Sequence, residues 1–187
     1  MPARRSNAST RPGPLQARVV RVTFRGMQIR EARASDGPAL LEIILPVIRE
    51  GATYTLETDM GEAEALAYWL APEKETFVAE EDGIIVGTYF IRPNQAGGGR
   101  HVCNCGYMTR TTALGRGIAR SMCKHSLAHA RERGYRAMQF NFVVSTNERA
   151  VRLWQSLGFE VVGRLPGAFR HPVHGYVDAL VMYQQLT

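Results

Sequence analysis

The run Leu114-Gly115-Arg116-Gly117-Ile118-Ala119-Arg120 stands between an extended stretch and a long helical one. Small residues let a backbone bend closely around a ligand. A helix starting there adds unpaired amide N–H groups and the positive end of its dipole. Together they form an anion cradle, suited to a pyrophosphate. No Gly-Lys-Ser/Thr follows, so this is not a Walker loop. The Gly-x-Gly-x-x-Gly spacing of a dinucleotide fold is missing too. Ordinary helix starts also carry Gly-x-Gly, so context must decide.

Other side chains offer acid, base or substrate chemistry. Asn141, in Phe140-Asn141-Phe142, is a polar residue within an apolar strand. Burying an amide without partners costs roughly 1–3 kcal/mol, so Asn141 is read either as a satisfied core amide or as a substrate contact. The strand before the phosphate-type loop, His101–Thr109, holds no carboxylate. Its polar candidates, His101 and Asn104, point to opposite faces. An asparagine is no base, but it can bind substrate or hold a water. His101 is of a residue type that can serve as a base, although the ordinary reading of a lone strand histidine is structural. Tyr54 and Glu57 lie in an early loop and are further substrate-side candidates. His101, Cys103 and Cys105, with Cys123, invite a zinc reading, but the spacing is not one of the usual structural patterns. No metal is expected.

These residues need elements to position them. Gln28–Ala32 alternates as a strand. Ala34-Ser35-Asp36 with Pro38 reads as a helix start. Ala39, Leu40, Ile43, Ile44 and Val47 recur at helical spacing. Glu62–Leu70 is a second helix. Thr76–Glu80 and Ile84–Arg92 form a hairpin about Asp82-Gly83. A long helix is expected over Arg116–Arg133 and an apolar strand over Tyr135–Val144. Ser145 and Glu148, three apart, read as a capping box. The strands Phe159–Arg164 and Val177–Gln185 complete the chain. The pattern predicts an α/β (α+β) domain with helices on one mixed sheet.

Charge narrows the function classes. The chain of 187 residues carries a formal charge of +6, yet six arginines lie in the first 26 residues, where no acidic residue occurs. From Met27 onward there are 17 basic and 17 acidic side chains. A nucleic-acid face needs clustered charge on folded structure, so no nucleic-acid partner is expected. No apolar run of membrane-spanning length occurs, so no membrane partner is expected either. Residues 1–26 read as a disordered extension or a mis-assigned start, with an organellar transit peptide as the rival reading. Residues 27–187 read as one domain. Three cysteines form no disulfide framework and fit a reducing cytoplasm.

Several of these residues fall into a known order. Tyr107-Met108-Thr109, Leu114–Ala119, then Asn147, Ala150, Leu153-Trp154 and Leu157-Gly158-Phe159 resemble the two cofactor motifs of the GCN5-related N-acetyltransferase (GNAT) family. The resemblance covers about residues 27–186. It implies a mostly antiparallel sheet of about seven strands with about four helices, and acetyl-coenzyme A as cosubstrate. Met108 and Thr109 would offer backbone hydrogen bonds to the pantetheine, in a gap whose second wall is Met138–Val143. Leu114, Gly115, Arg116, Gly117, Ile118, Ala119 and Arg120 would bind the pyrophosphate. Asn147, Ala150 and Trp154 would flank the pantetheine arm. Two departures stand out. Leu114 replaces the usual Gln or Arg, with Arg116 a candidate to supply the missing charge. Trp154 falls where the family often has a tyrosine acid, and an indole N–H cannot serve so. The resemblance implies transfer of acetyl to a small amine, an amino acid or analogue, by direct attack in a ternary complex, and often a homodimer. A non-catalytic acyl-coenzyme A-binding module and a peptide or protein N-acetyltransferase are the rival readings. Asn104 and Asn141 on adjacent strands also look like the paired asparagines of the azetidine-2-carboxylate (proline-analogue) acetyltransferases.

Overall fold

The computed structural model describes residues 23–24 and 26–187, so most of the N-terminal extension lies outside the described residues. The chain enters through β1 (Thr23–Phe24), which pairs with β2 (Met27–Glu31), so the sheet begins ahead of the boundary expected at Met27. A short 3₁₀ turn over Ala34–Asp36 leads into α1 (Gly37–Glu50). Asp36 does not cap the helix through its side chain. It accepts from the Arg33 amide at 2.7 Å and is gripped by Arg30 at 2.7 and 3.0 Å. Leu40, Ile43, Ile44 and Ile48 are buried along one stripe of α1, as helical spacing requires. α2 (Glu62–Trp69) follows and places Trp69 in the core.

A hairpin of β3 (Glu75–Glu81) and β4 (Ile84–Pro93) turns at Asp82-Gly83, and β5 (Val102–Thr109) pairs back onto β4. α3 (Ile118–Glu132) crosses to β6 (Ala137–Val144), and α4 (Glu148–Ser156) crosses to β7 (Glu160–His171). β8 (Gly175–Gln185) returns between β6 and β7. Among the described residues the sheet order is β1-β2-β3-β4-β5-β6-β8-β7, and β5 with β6 is the parallel pair in an otherwise antiparallel sheet. The expected seven strands and four helices are present, with β1 added as a two-residue edge.

The sheet separates two cores. Cys103, Cys105, Met138 and Phe140 pack under α3 and α4 with Met122, Cys123 and Trp154. Val78, Phe90 and Met108 pack under α1 and α2 with Ile44 and Trp69. Side chains two apart on a strand share a face. Asn104, Gly106 and Met108 therefore look towards α1 and α2, and Cys105 and Tyr107 towards α3 and α4.

The capping-box reading is corrected at α4. Asn147, not Ser145, is the cap, and its Oδ1 accepts from the Ala150 amide at 3.2 Å. Glu148 instead pairs with Arg152 one turn on. Ser145 is held by backbone, its amide donating to Asp178, which moves the helix start two residues later.

Candidate active site

The site begins where the parallel pair comes apart. β5 and β6 are in register at Val102↔Ala137 and Cys103↔Met138 and then separate. β5 stays in unbroken register with β4. β6 follows β8 and shifts register between Phe140 and Val143. A bulge of this kind bends its strand, which carries β6 away from β5. In the crotch of the fork, Asn104 Nδ2 donates to the Gln139 carbonyl at 2.8 Å.

The backbone groups of β5 alternate between its neighbours. The Val102 carbonyl accepts from Asn94, and the Arg110 amide donates to Val86, so the even-numbered residues bond to β4. The odd-numbered residues face the gap. This corrects the role expected of Met108, whose amide belongs to the β4 ladder and whose side chain is buried under α1 and α2. The N–H groups turned to the gap are those of Tyr107 and Thr109. Tyr54 donates its hydroxyl to the Tyr107 carbonyl at 2.9 Å and pins the early loop against β5. Burial raises the Tyr54 phenol well above its ordinary range, so it stays a neutral donor.

Beyond β5 the chain turns through Leu114–Gly117 into α3. Gly115 and Gly117 have φ of 85° and 82°, a left-handed backbone that side chains disfavour. None of the amides from Gly115 to Arg120 donates to an acceptor among the described residues; the Ser121 amide begins the helical ladder by bonding to Gly117. Six open donors thus stand before and at the start of a helix 15 residues long. Arg116 does not serve them, because its guanidinium turns outward to Glu81. Arg149, on the first turn of α4, comes beside the loop instead. Its Nη2 lies 3.6 Å from where a Gly115 Cβ would stand.

Gap and cradle open into one cleft of about 890 Å³. Every candidate residue drawn from the sequence lines it except Arg116, Glu57 and His101. Glu57 is exposed on its loop, and His101 is exposed ahead of β5 with Nδ1 3.0 Å from the Gly98 carbonyl. Asn141 is exposed rather than buried. Its Nδ2 donates to Asn94 Oδ1 at 2.7 Å, and its Oδ1 accepts from Gln139 Nε2 at 2.8 Å. Asn94, Asn104, Gln139 and Asn141 thus form a polar cluster around the fork.

Trp154 packs its ring 5.1 Å from Tyr107 and 5.3 Å from Phe140, forming an aromatic wall. The Tyr107 phenol is held beneath α3, 2.6 Å from Ser126 Oγ, and burial raises it well above its usual range. The cysteines are free and buried. Burial raises the Cys105 thiol well above its ordinary value and pushes Cys123 up to about 12, so neither is a poised nucleophile. Among the described residues no group of His, Cys, Asp or Glu is arranged to hold a metal.

Sequence reasoning did not single out the Tyr107 amide, Arg149 or Arg92, all of which line the cleft. For Tyr107 the missing signal was strand parity, which only the β4–β5 register supplies. Arg149 was one of many surface-type arginines until α4 was docked.

The arrangement fits acetyl-coenzyme A by its own donor set: two strand amides facing a gap, six amides in a cradle, and Arg149 beside them. Residues 41–159 match the model of the Acetyltransferase (GNAT) family. The chain is 29% identical over 151 residues to "N-acetyltransferase aca1" of Schizosaccharomyces pombe, covering 72% of each. A GCN5-related N-acetyltransferase from Kribbella flavida is 40% identical, with a TM-score of 0.82 over 86% of this chain and 98% of that one. At 24% identity, the putative acetyltransferase yncA from Salmonella typhimurium, solved with acetyl-CoA, shares the fold with a TM-score of 0.77 over 87% and 95% of the two chains. The fork, the cradle and the matched family together place this chain in the GNAT family, as an acetyltransferase that uses acetyl-coenzyme A as its cosubstrate.

Proposed function

We propose that the acceptor is the amino group of a small molecule of amino-acid type, acetylated by direct attack in a ternary complex. The observation that carries this reading is the pair Asn104 and Asn141, which line the cleft at the fork and are each hydrogen-bonded to Gln139. Acetyl-coenzyme A supplies an activated acetyl group as a thioester. The Tyr107 N–H stands in the gap as the donor that polarises the reacting carbonyl. Asn104 and Asn141 hold the acceptor and a water that takes its proton, since neither side chain is a base. An alkyl amine of pKa around 10 is about one part in a thousand neutral at pH 7, so this deprotonation limits the rate at low pH. No phenol replaces the family's tyrosine at Trp154. A thiolate leaving group has an ordinary pKa near 8.5 and tolerates protonation by water.

Residues 27–187 form the catalytic unit in this reading. Free cysteines support a reducing, cytoplasmic setting. Exposed apolar side chains on β7, β8 and the turn between them support a homodimer.

The test is thiol release from acetyl-coenzyme A by the purified chain across proline analogues, methionine derivatives, polyamines and a short peptide, beside a binding titration. Release with small amino acids supports the proposal. Release with the peptide alone, or binding without release from any amine, overturns it.

A further inference from the structure

Arg92 is the cleft residue that neither the cradle nor the acyl gap uses. It sits on β4 directly opposite Asn104, on the face that looks towards α1 and α2. Thr109, where the cradle is approached, lies five residues along β5 from Asn104, a distance of about 17 Å at ordinary strand rise. Arg92 is therefore far from the phosphate end. Its Nε is buried without a hydrogen-bond partner, one of two such side-chain atoms among the described residues. Nor does Arg92 enter any salt bridge among them. By contrast, the half-buried Arg30 grips both Asp36 and Glu80 at 2.7 Å.

A guanidinium left partly desolvated and unpaired is costly, and such a group in a native fold asks for an explanation. The surroundings do not supply an anion. Glu50 is the one carboxylate among the described residues lining the cleft, and it is exposed at the end of α1. Lys74 adds a second cation to this corner, its Nζ 3.4 Å from the Tyr68 ring centroid and bonded to the Tyr68 carbonyl. Burial, then the charge of Arg92, lowers Lys74 to about 8, while exposed Glu73 opposes the shift without pairing with Arg92. The corner is thus positive, walled by Tyr68 and Phe90, and next to Asn104.

We infer that Arg92 is the carboxylate anchor of the acceptor, binding the α-carboxylate of an amino acid while its amino group lies at the Asn104–Asn141 cluster. A planar guanidinium fork matches a carboxylate with two parallel hydrogen bonds, which would complete the unpaired Nε. This rests on the amino-acid reading above and narrows it from small amines to amines carrying a carboxylate.

The experiment uses matched pairs: azetidine-2-carboxylate against azetidine, and methionine against 3-(methylthio)propylamine. For each, kcat and KM are measured with wild type, Arg92→Met and Arg92→Lys. Acetyl-coenzyme A affinity and circular dichroism check that each variant is folded. Removing the carboxylate should lower wild-type kcat/KM by about 30-fold, mainly through KM. Arg92→Met should reproduce that loss for the acids and leave the decarboxylated amines unchanged, with Arg92→Lys intermediate. Equal use of both members of each pair, or an equal loss on both in Arg92→Met, overturns the inference. If no amine is turned over, the amino-acid transferase reading fails separately. The anchor is then read by calorimetry with coenzyme A bound. Binding of the acids alone, abolished by Arg92→Met, supports it, and binding of neither or both overturns it.

Discussion

Arg116 and Arg149 show how much a residue's role depends on what its neighbours leave free. Arg116 sits inside the glycine loop, yet Glu81 holds it away from the cradle. Arg149 comes from another element and points at Gly115. Arg149→Ala should therefore weaken acetyl-coenzyme A binding by about fivefold, with the loss shrinking at high salt, because a partly exposed charge on a phosphate is worth about 1 kcal/mol. Arg116→Ala should change affinity by less than about twofold. Calorimetric titrations of both variants at low and high ionic strength check the contrast. Reversal of their order would return the compensating role to Arg116.

At the scale of elements, the site depends on how α1 is tied to the sheet that carries β5. Asp36 makes that tie. It precedes α1, accepts from the Arg33 amide, and binds Arg30 on β2, which also reaches Glu80 on β3. The Arg30 hydrogen bonds hold the Asp36 carboxyl below its ordinary value of 3.8, with burial opposing. A carboxylate lowered in the folded state stabilises fully above its unfolded pKa, and that contribution is lost as pH falls through the folded pKa. Asp36→Asn should thus cost about 2 kcal/mol near neutral pH. The gap to wild type should narrow as pH falls below 3.8. Urea denaturation of both proteins across that range measures it, and a gap independent of pH would sink the assignment.

For the whole molecule, the end of the sheet is the unsettled surface. β7 is a 12-residue edge strand, and Val162, Val173 and Tyr176 on the β7–β8 hairpin are 58%, 79% and 76% exposed. An uncovered edge with apolar side chains invites pairing. The wild-type chain should sediment at twice its monomer mass at micromolar concentration. A Val162→Glu, Tyr176→Glu double variant should shift it to monomer without changing acetyl-coenzyme A affinity. A monomeric wild type removes the dimer from the proposal.

What was legible in the sequence was whatever local chemistry dictates. Helical spacing fixed the buried stripe of α1, Asp82-Gly83 the hairpin, and the paired glycines the left-handed turn into α3. The family order of motifs followed from the same local runs. Tertiary structure decided everything that depends on parity and direction. The unbroken β4–β5 register turns the amides of Tyr107 and Thr109, not that of Met108, into the gap. The bulge in β6 opens the fork and leaves Asn141 exposed and shared between Asn94 and Gln139. Distance along the chain says nothing about which arginine finds an acid, so Arg30 and Arg116 acquired partners and Arg92 was left facing the cleft. Side-chain type is local, but pairing is a property of packed elements, and that is why the unpaired state of Arg92 was visible only in the fold.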